Sequence, residues 1–182
     1  MKKILAGQIL LILCCAFYLI WWYRGYRPGT SVNRMSGVNG ILFFITAALG
    51  IAGIICSLGR VEQRTEPKLI PVAITAGGVF AYFTLALITR YLFQRIVTTE
   101  LVLIVGWCVL ELTVINRLCA AEILSDRGFA VMCAVLAAAV VVSMVLYVAY
   151  YRMEEMKAFY AAMIPLVTEA LSMAVLTLIM LA

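Results

Sequence analysis

The sequence predicts an all-α, polytopic integral membrane protein, with about six transmembrane helices forming one bundle and a single transmembrane domain over residues 1–182. Three observations lead there. Hydrophobic residues make up 66% of the 182 and charged residues only 13%, where soluble domains carry about half apolar and a quarter charged. The apolar residues fall into six blocks, each near or above the roughly 20 residues that a helix needs to cross about 30 Å of hydrocarbon. The stretches between blocks reach only about 10 to 15 residues, too short for a soluble catalytic or nucleotide-binding domain. Mean hydropathy of +1.10 agrees.

The first helix is expected at residues 4–23, after Lys2 and Lys3. It lacks a small-residue cleavage site and stays apolar too long for a signal peptide, so it reads as a retained span. The second, at 38–58, carries Gly40, Gly50, Gly53 and, just beyond its end, Gly59, and small residues at such spacing let helix backbones approach closely. The third, at 69–93, has Pro71 in its first turn, where a missing N–H is harmless. Gly77 and Gly78 near its middle are a candidate hinge, with close packing as the simpler account.

The fourth helix is expected at 101–124 and is the unusual one, with Glu111, Asn116 and Arg117 inside it and Glu100 and Glu122 near its ends. A short turn, Ser125-Asp126-Arg127-Gly128, leads to the fifth at 129–151. The charged stretch Arg152 to Lys157 precedes the sixth at 161–182. Ile70-Pro71-Val72-Ala73 with Thr75 in the third helix is loosely echoed by Ile164-Pro165-Leu166-Val167 with Thr168 in the sixth, a match short enough for chance.

With both termini on one side, that side holds Lys2, Lys3, Arg60, Arg64, Lys68 and Arg127. The opposite side holds Arg24, Arg27, Arg34, Arg90, Arg95, Arg152 and Lys157. The positive-inside rule therefore gives a near tie, the charge bias that dual insertion and antiparallel pairing with a second copy would need. Aromatics are lopsided: Trp21-Trp22-Tyr23, Tyr91 with Phe93, and Tyr147 with Tyr150-Tyr151 all fall at the second side, as an interfacial belt does.

Composition removes several function classes. Net charge is +5, but the bases sit in loops without interleaved exposed aromatics, so no nucleic acid is expected as a partner. Histidine is absent, which takes away the commonest general base and transition-metal ligand. The six cysteines show no metal-ligand spacing and read as small apolar packing residues. No cofactor and no metal site are expected.

What remains is charge at membrane depth, which costs about 3 kcal/mol per residue on insertion scales and calls for a partner, a water-filled cavity or a function. At 100° per residue Glu100, Glu111 and Glu122 share one helix face, and Arg117 stands about 120° from Glu111. Glu169, beside Thr168 in the sixth block, is the other deep carboxylate. Counted from the side of the termini, it and Glu111 are each about 13 residues, or some 20 Å, deep.

Glu111, Asn116, Arg117, Thr168 and Glu169 are thus the candidate substrate- or ion-binding residues, with a structural ion-pair network as the rival account. The expected function is a membrane transport protein or a membrane-embedded small-solute- or ion-binding subunit, with a polar site between the fourth and sixth helices. The alternative is a non-transporting partner or assembly subunit of a larger complex, using the glycine-bearing second helix. An intramembrane lipid-modifying enzyme ranks third, since no catalytic motif is present, and no enzymatic activity is expected. In size and helix count the chain resembles the substrate-binding S components of energy-coupling-factor vitamin transporters, a likeness of architecture that no family motif carries. The expected partners are the lipid bilayer, a small solute or cation, and a second copy or partner membrane protein. The expected location is the cell membrane, as a multi-pass protein.

Overall fold

The structure, a computed structural model, describes residues 1–29, 37–93 and 99–181, and of Phe93, Thr99 and Glu100 the backbone alone. The basic residues Arg34 and Arg95 lie outside the described residues, and so does the side chain of Glu100. Among the described residues all regular structure is helical: α1 (Lys2–Tyr26), α2 (Gly37–Ser57), α3 (Pro71–Phe93), α4 (Thr99–Ala120), α5 (Asp126–Tyr150), α6 (Glu155–Ala161) and α7 (Ile164–Leu181). Six spans are long and apolar enough to cross a membrane, α6 and α7 together making the last. The chain is a multi-pass membrane protein.

It divides into two compact units. One comprises residues 1–59 and 138–182, the other residues 60–137, so that α5 contributes its first part to the second unit and the rest to the first.

In the first unit α1 and α2 make the most extensive helix pair, and small residues explain why. A Cβ on Gly7 of α1 would collide with Ser57 and the backbone of Cys56, while one on Gly53 of α2 would lie 2.8 Å from Leu11. Gly50 faces the thiol of Cys14, which donates to the carbonyl of Thr46 at 3.3 Å. Without water to drive helices together, such close approach is the main source of cohesion in lipid. Gly50, Gly53 and Gly59, among the glycines expected to meet a partner protein, therefore meet α1.

Aromatic packing closes the far end of this unit. Trp21 is buried against Phe43 (centroids 5.4 Å) and Tyr26 (5.4 Å), and Trp22 stacks on Tyr26 at 4.2 Å and on Phe159 of α6 at 6.4 Å. Part of the expected belt is thus internal packing.

The sixth span differs from expectation. Helix begins at Glu155 and breaks after Ala161, and α7 starts at Ile164. Pro165 accounts for the break. It has no N–H to give the carbonyl four residues back, which is that of Ala161, and its ring crowds that carbonyl. Pro71 opens α3 in the same manner. The Ile-Pro echo thus reflects two helix starts, a local chemistry that needs no repeat.

In the second unit α3 packs on α4 along a narrow stripe where Gly78 admits the side chain of Val109. Among the described side chains of α3 only Ile74 and Thr89 are buried, and Val72, Phe80 and Tyr91 are each more than 70% exposed, as befits apolar residues that meet lipid. The helix continues unbroken through Gly77 and Gly78. By contrast, 44% of the most apolar part of the α4 span is buried, against 11% in α3.

α4 ends at Ala120, four residues before the expected Leu124. Glu122 N–H bonds the carbonyl of Cys119 at 2.9 Å and Ile123 N–H that of Leu118 at 3.0 Å. This is the bond pair of a Schellman ending, whose turning residue is left-handed and normally glycine. Here it is Glu122, with φ of 60°.

Candidate functional site

The second unit builds its polar end from loop 60–70 folded over the C-terminus of α4. The carbonyl of Ala120, one of the orphan acceptors at a helix end, accepts from the N–H groups of Arg64 (2.8 Å) and Thr65 (2.9 Å) and from the Thr65 hydroxyl (3.2 Å). Asn116 completes the clasp. Its Nδ2 donates to the carbonyl of Leu69 at 2.8 Å, and its Oδ1 accepts from the N–H of Leu69 at 2.9 Å. Asn116 is fully engaged in holding the strand of chain that leads into α3.

Two ion pairs tie the same region, Lys68–Asp126 at 3.0 Å and Arg64–Glu122 at 3.8 Å. The hydrogen bond from Lys68 to Asp126, reinforced by the carboxylate charge, holds the Lys68 ammonium above the ordinary lysine range. Its folded pKa is raised, so what the pair contributes to stability is complete below the unfolded lysine value and lost as pH rises through the folded one. A surface cleft of about 350 Å³ opens here, lined among others by Glu66, Lys68, Glu122 and Asp126. Among the described residues no group of three or more Cys, Asp or Glu is arranged to hold a metal ion.

Glu111 stands apart from these loop groups. It lies within α4 at 1% exposure, on the same face as Trp107 one turn earlier, which is 8% exposed. The Trp107 indole N–H has no hydrogen-bond partner among the described residues. Arg117 is half-buried. The shared face of three carboxylates is not realised: Glu122 has left the helix axis in its left-handed turn and is exposed, with Arg64 as its partner. The depth count changes with it, since Glu111 is about nine residues, some 14 Å, from the end of α4 at Ala120.

Glu169 belongs to the first unit. It is 6% exposed and lies on the buried face of α7 with Ser172, Met173, Leu176 and Met180. Ser172 donates back to the Glu169 carbonyl at 2.8 Å. Thr168 donates to the carbonyl of Pro165 at 2.7 Å, and its hydroxyl lies 3.4 Å from that of Ser143 on α5. Ser143 is wholly buried, and Tyr147, one turn along α5, is nearly so.

Ser143, Ser172 and Gln8, which is wholly buried in α1, are buried polar positions that the sequence did not single out, and Tyr147, expected in the interfacial belt, is buried with them. Formal charge does not mark such residues; an uncharged amide or hydroxyl within an apolar block is the signal they carry. Gly77 has open space beyond its missing Cβ, and Gly78 is the glycine that α4 contacts.

Compared with known proteins, the chain matches no family model, no curated protein and no solved structure. The class that the fold defines is therefore a multi-pass, all-helical membrane protein with buried carboxylates in two of its spans.

Proposed function

We propose that this chain is a membrane transport protein of the cell membrane, or a membrane-embedded subunit that binds a small solute or cation, with Glu111 and Glu169 as its principal binding groups. The observation that supports the reading most is their burial, at 1% and 6% exposure, within spans that could have carried apolar residues there. Each such residue costs about 3 kcal/mol on insertion scales, and intramembrane carboxylates characteristically mark ion and substrate pathways. A carboxylate at such a place can hold either a proton or a cation, and exchange between them is the chemistry of ion-coupled pathways. The unmatched indole N–H of Trp107 adds a donor beside Glu111 that a bound solute or water would satisfy. The alternative of an assembly subunit draws on the glycines of the second helix, of which Gly50, Gly53 and Gly59 contact α1.

The test begins with a thermal-shift screen of small solutes and monovalent cations, followed by uptake of the stabilising compound into proteoliposomes. Glu111→Gln and Glu169→Gln keep shape and remove charge. The expected outcome is a loss of uptake of about tenfold or more in each, the weight of one charged hydrogen bond of about 1.5 kcal/mol, with folded yield unchanged. Equal loss of folded protein in both variants would instead make the carboxylates structural.

A further inference from the structure

Trp107 and Glu111 stand one turn apart within α4, at 8% and 1% exposure. Helical side chains lean toward the N-terminus of their helix, so the Glu111 carboxyl group is carried over the turn that bears Trp107. The indole N–H has no hydrogen-bond partner among the described residues. A donor buried in this way is costly unless something accepts from it. Trp107 thereby constrains what its neighbouring carboxyl group holds.

The indole nitrogen donates and does not accept. A metal ion on Glu111 would turn its charge toward the positive end of the N–H dipole and bring no acceptor for it. Hard cations are also held by several oxygen ligands, and an indole supplies none. A proton makes the opposite demand. The ionised carboxylate only accepts hydrogen bonds, and the protonated group keeps acceptor capacity beside its new O–H. An indole N–H, acting directly or through one water, is therefore matched in both states.

The other charges of this unit gather at the ends of its helices. α3 carries Arg90 in its last turn, with the phenols of Tyr82 and Tyr91. Those of loop 60–70 and the start of α5 meet at the end of α4, where Lys68 pairs with Asp126 and Arg64 with Glu122; α5 adds the thiol of Cys133. On α4 itself Arg117 is about six residues, some 9 Å, further along, and the Cys108 thiol lies within the field of Glu111.

Taking Glu111 as a binding group of the proposed function, we propose that the ion it holds is a proton, with the Trp107 N–H as the donor that matches the carboxyl group in both its states. Carboxylates at membrane depth serve as proton relays in pumps and transporters.

Infrared difference spectroscopy of the full chain in lipid bilayers tests this, since a protonated carboxyl group has a carbonyl band of its own. Lowering the pH should raise such a band in the wild type. Glu111→Gln should lose it, and Glu169→Gln should keep it. Sodium, potassium or calcium raised about a hundredfold at fixed pH should leave it unchanged, because an ion that competes displaces the proton by mass action. Trp107→Phe keeps an aromatic ring and removes the donor, and it should shift the band. If Glu111→Gln does not fold, the Glu169→Gln and Trp107→Phe spectra assign the band instead. The proposal is overturned if no pH-dependent band belongs to Glu111, if any of these metal ions removes it, or if Trp107→Phe leaves its frequency unchanged. Uptake separates this from the transport reading. A proton band whose loss in Glu111→Gln leaves uptake intact would sink transport through Glu111 alone, whereas lost uptake in that variant together with displacement of the band by sodium would sink the proton alone.

Discussion

At the scale of single residues, two polar side chains near the end of α4 do work that their residue type does not announce. Asn116 saturates both backbone groups of Leu69. Replacing it with leucine should destabilise the protein by about 1–3 kcal/mol, the penalty for two abandoned backbone partners. Asn116→Asp keeps the acceptor and loses the donor, and it should fall between. Thermal unfolding in detergent reads the order, and a leucine variant as stable as the wild type would refute it.

Glu122 is the converse case, a residue at odds with its backbone. An L-residue held in the left-handed region gives up about 1–2 kcal/mol that glycine does not. Its exposed 3.8 Å pair with Arg64 returns little. Glu122→Gly should therefore raise stability by about 1 kcal/mol, and Glu122→Val should lower it. A glycine variant less stable than the wild type would show that the ion pair outweighs the strain. The sequence holds no glycine at that turn, so the end of α4 was not legible, and extending the helix to Leu124 was the natural error.

At the scale of elements, glycines with the same backbone have opposite meanings according to what faces them. Gly53 meets Leu11 and Gly7 meets Ser57, while nothing lies within 4 Å of the space where a Gly77 Cβ would be. Gly53→Leu should separate α1 from α2 and sharply reduce folded yield. Gly77→Ala should be neutral or stabilising by up to about 1 kcal/mol, the helix preference of alanine over glycine. Size-exclusion profiles and unfolding temperatures distinguish the two. If Gly77 is nevertheless a hinge, Gly77→Ala will reduce uptake while folded yield holds, an outcome that packing alone does not produce. Period and spacing revealed that these glycines sit in spans. Which of them is contacted depends on the rotation of each helix, which small residues on every side of an apolar helix leave undefined.

For the whole molecule, a near balance of basic residues on the two sides makes orientation sensitive to very few charges. Removing Arg152 and Lys157 together by glutamine substitution should increase the fraction of chains that place the side of Lys2, Lys3 and Lys68 in the cytoplasm. Reporter fusions on either side measure that fraction, and a fall in it would mean that charge does not set the orientation here. The six-span, all-helical architecture was legible because the hydrocarbon thickness dictates a minimum run of apolar residues, and six such runs are present.

Length and polarity, properties of the chain itself, thus determined the solvent, the helix count and the positions of the costly carboxylates Glu111 and Glu169. Only the tertiary structure decided that Asn116 is a clasp for Leu69, that Glu122 turns out of its helix, that Pro165 divides the last span and that Gln8 and Ser143 are as buried as any leucine. The physical reason is that hydropathy is summed over about 20 residues, whereas a hydrogen bond or a close helix contact is settled within a few ångströms, by neighbours distant in sequence.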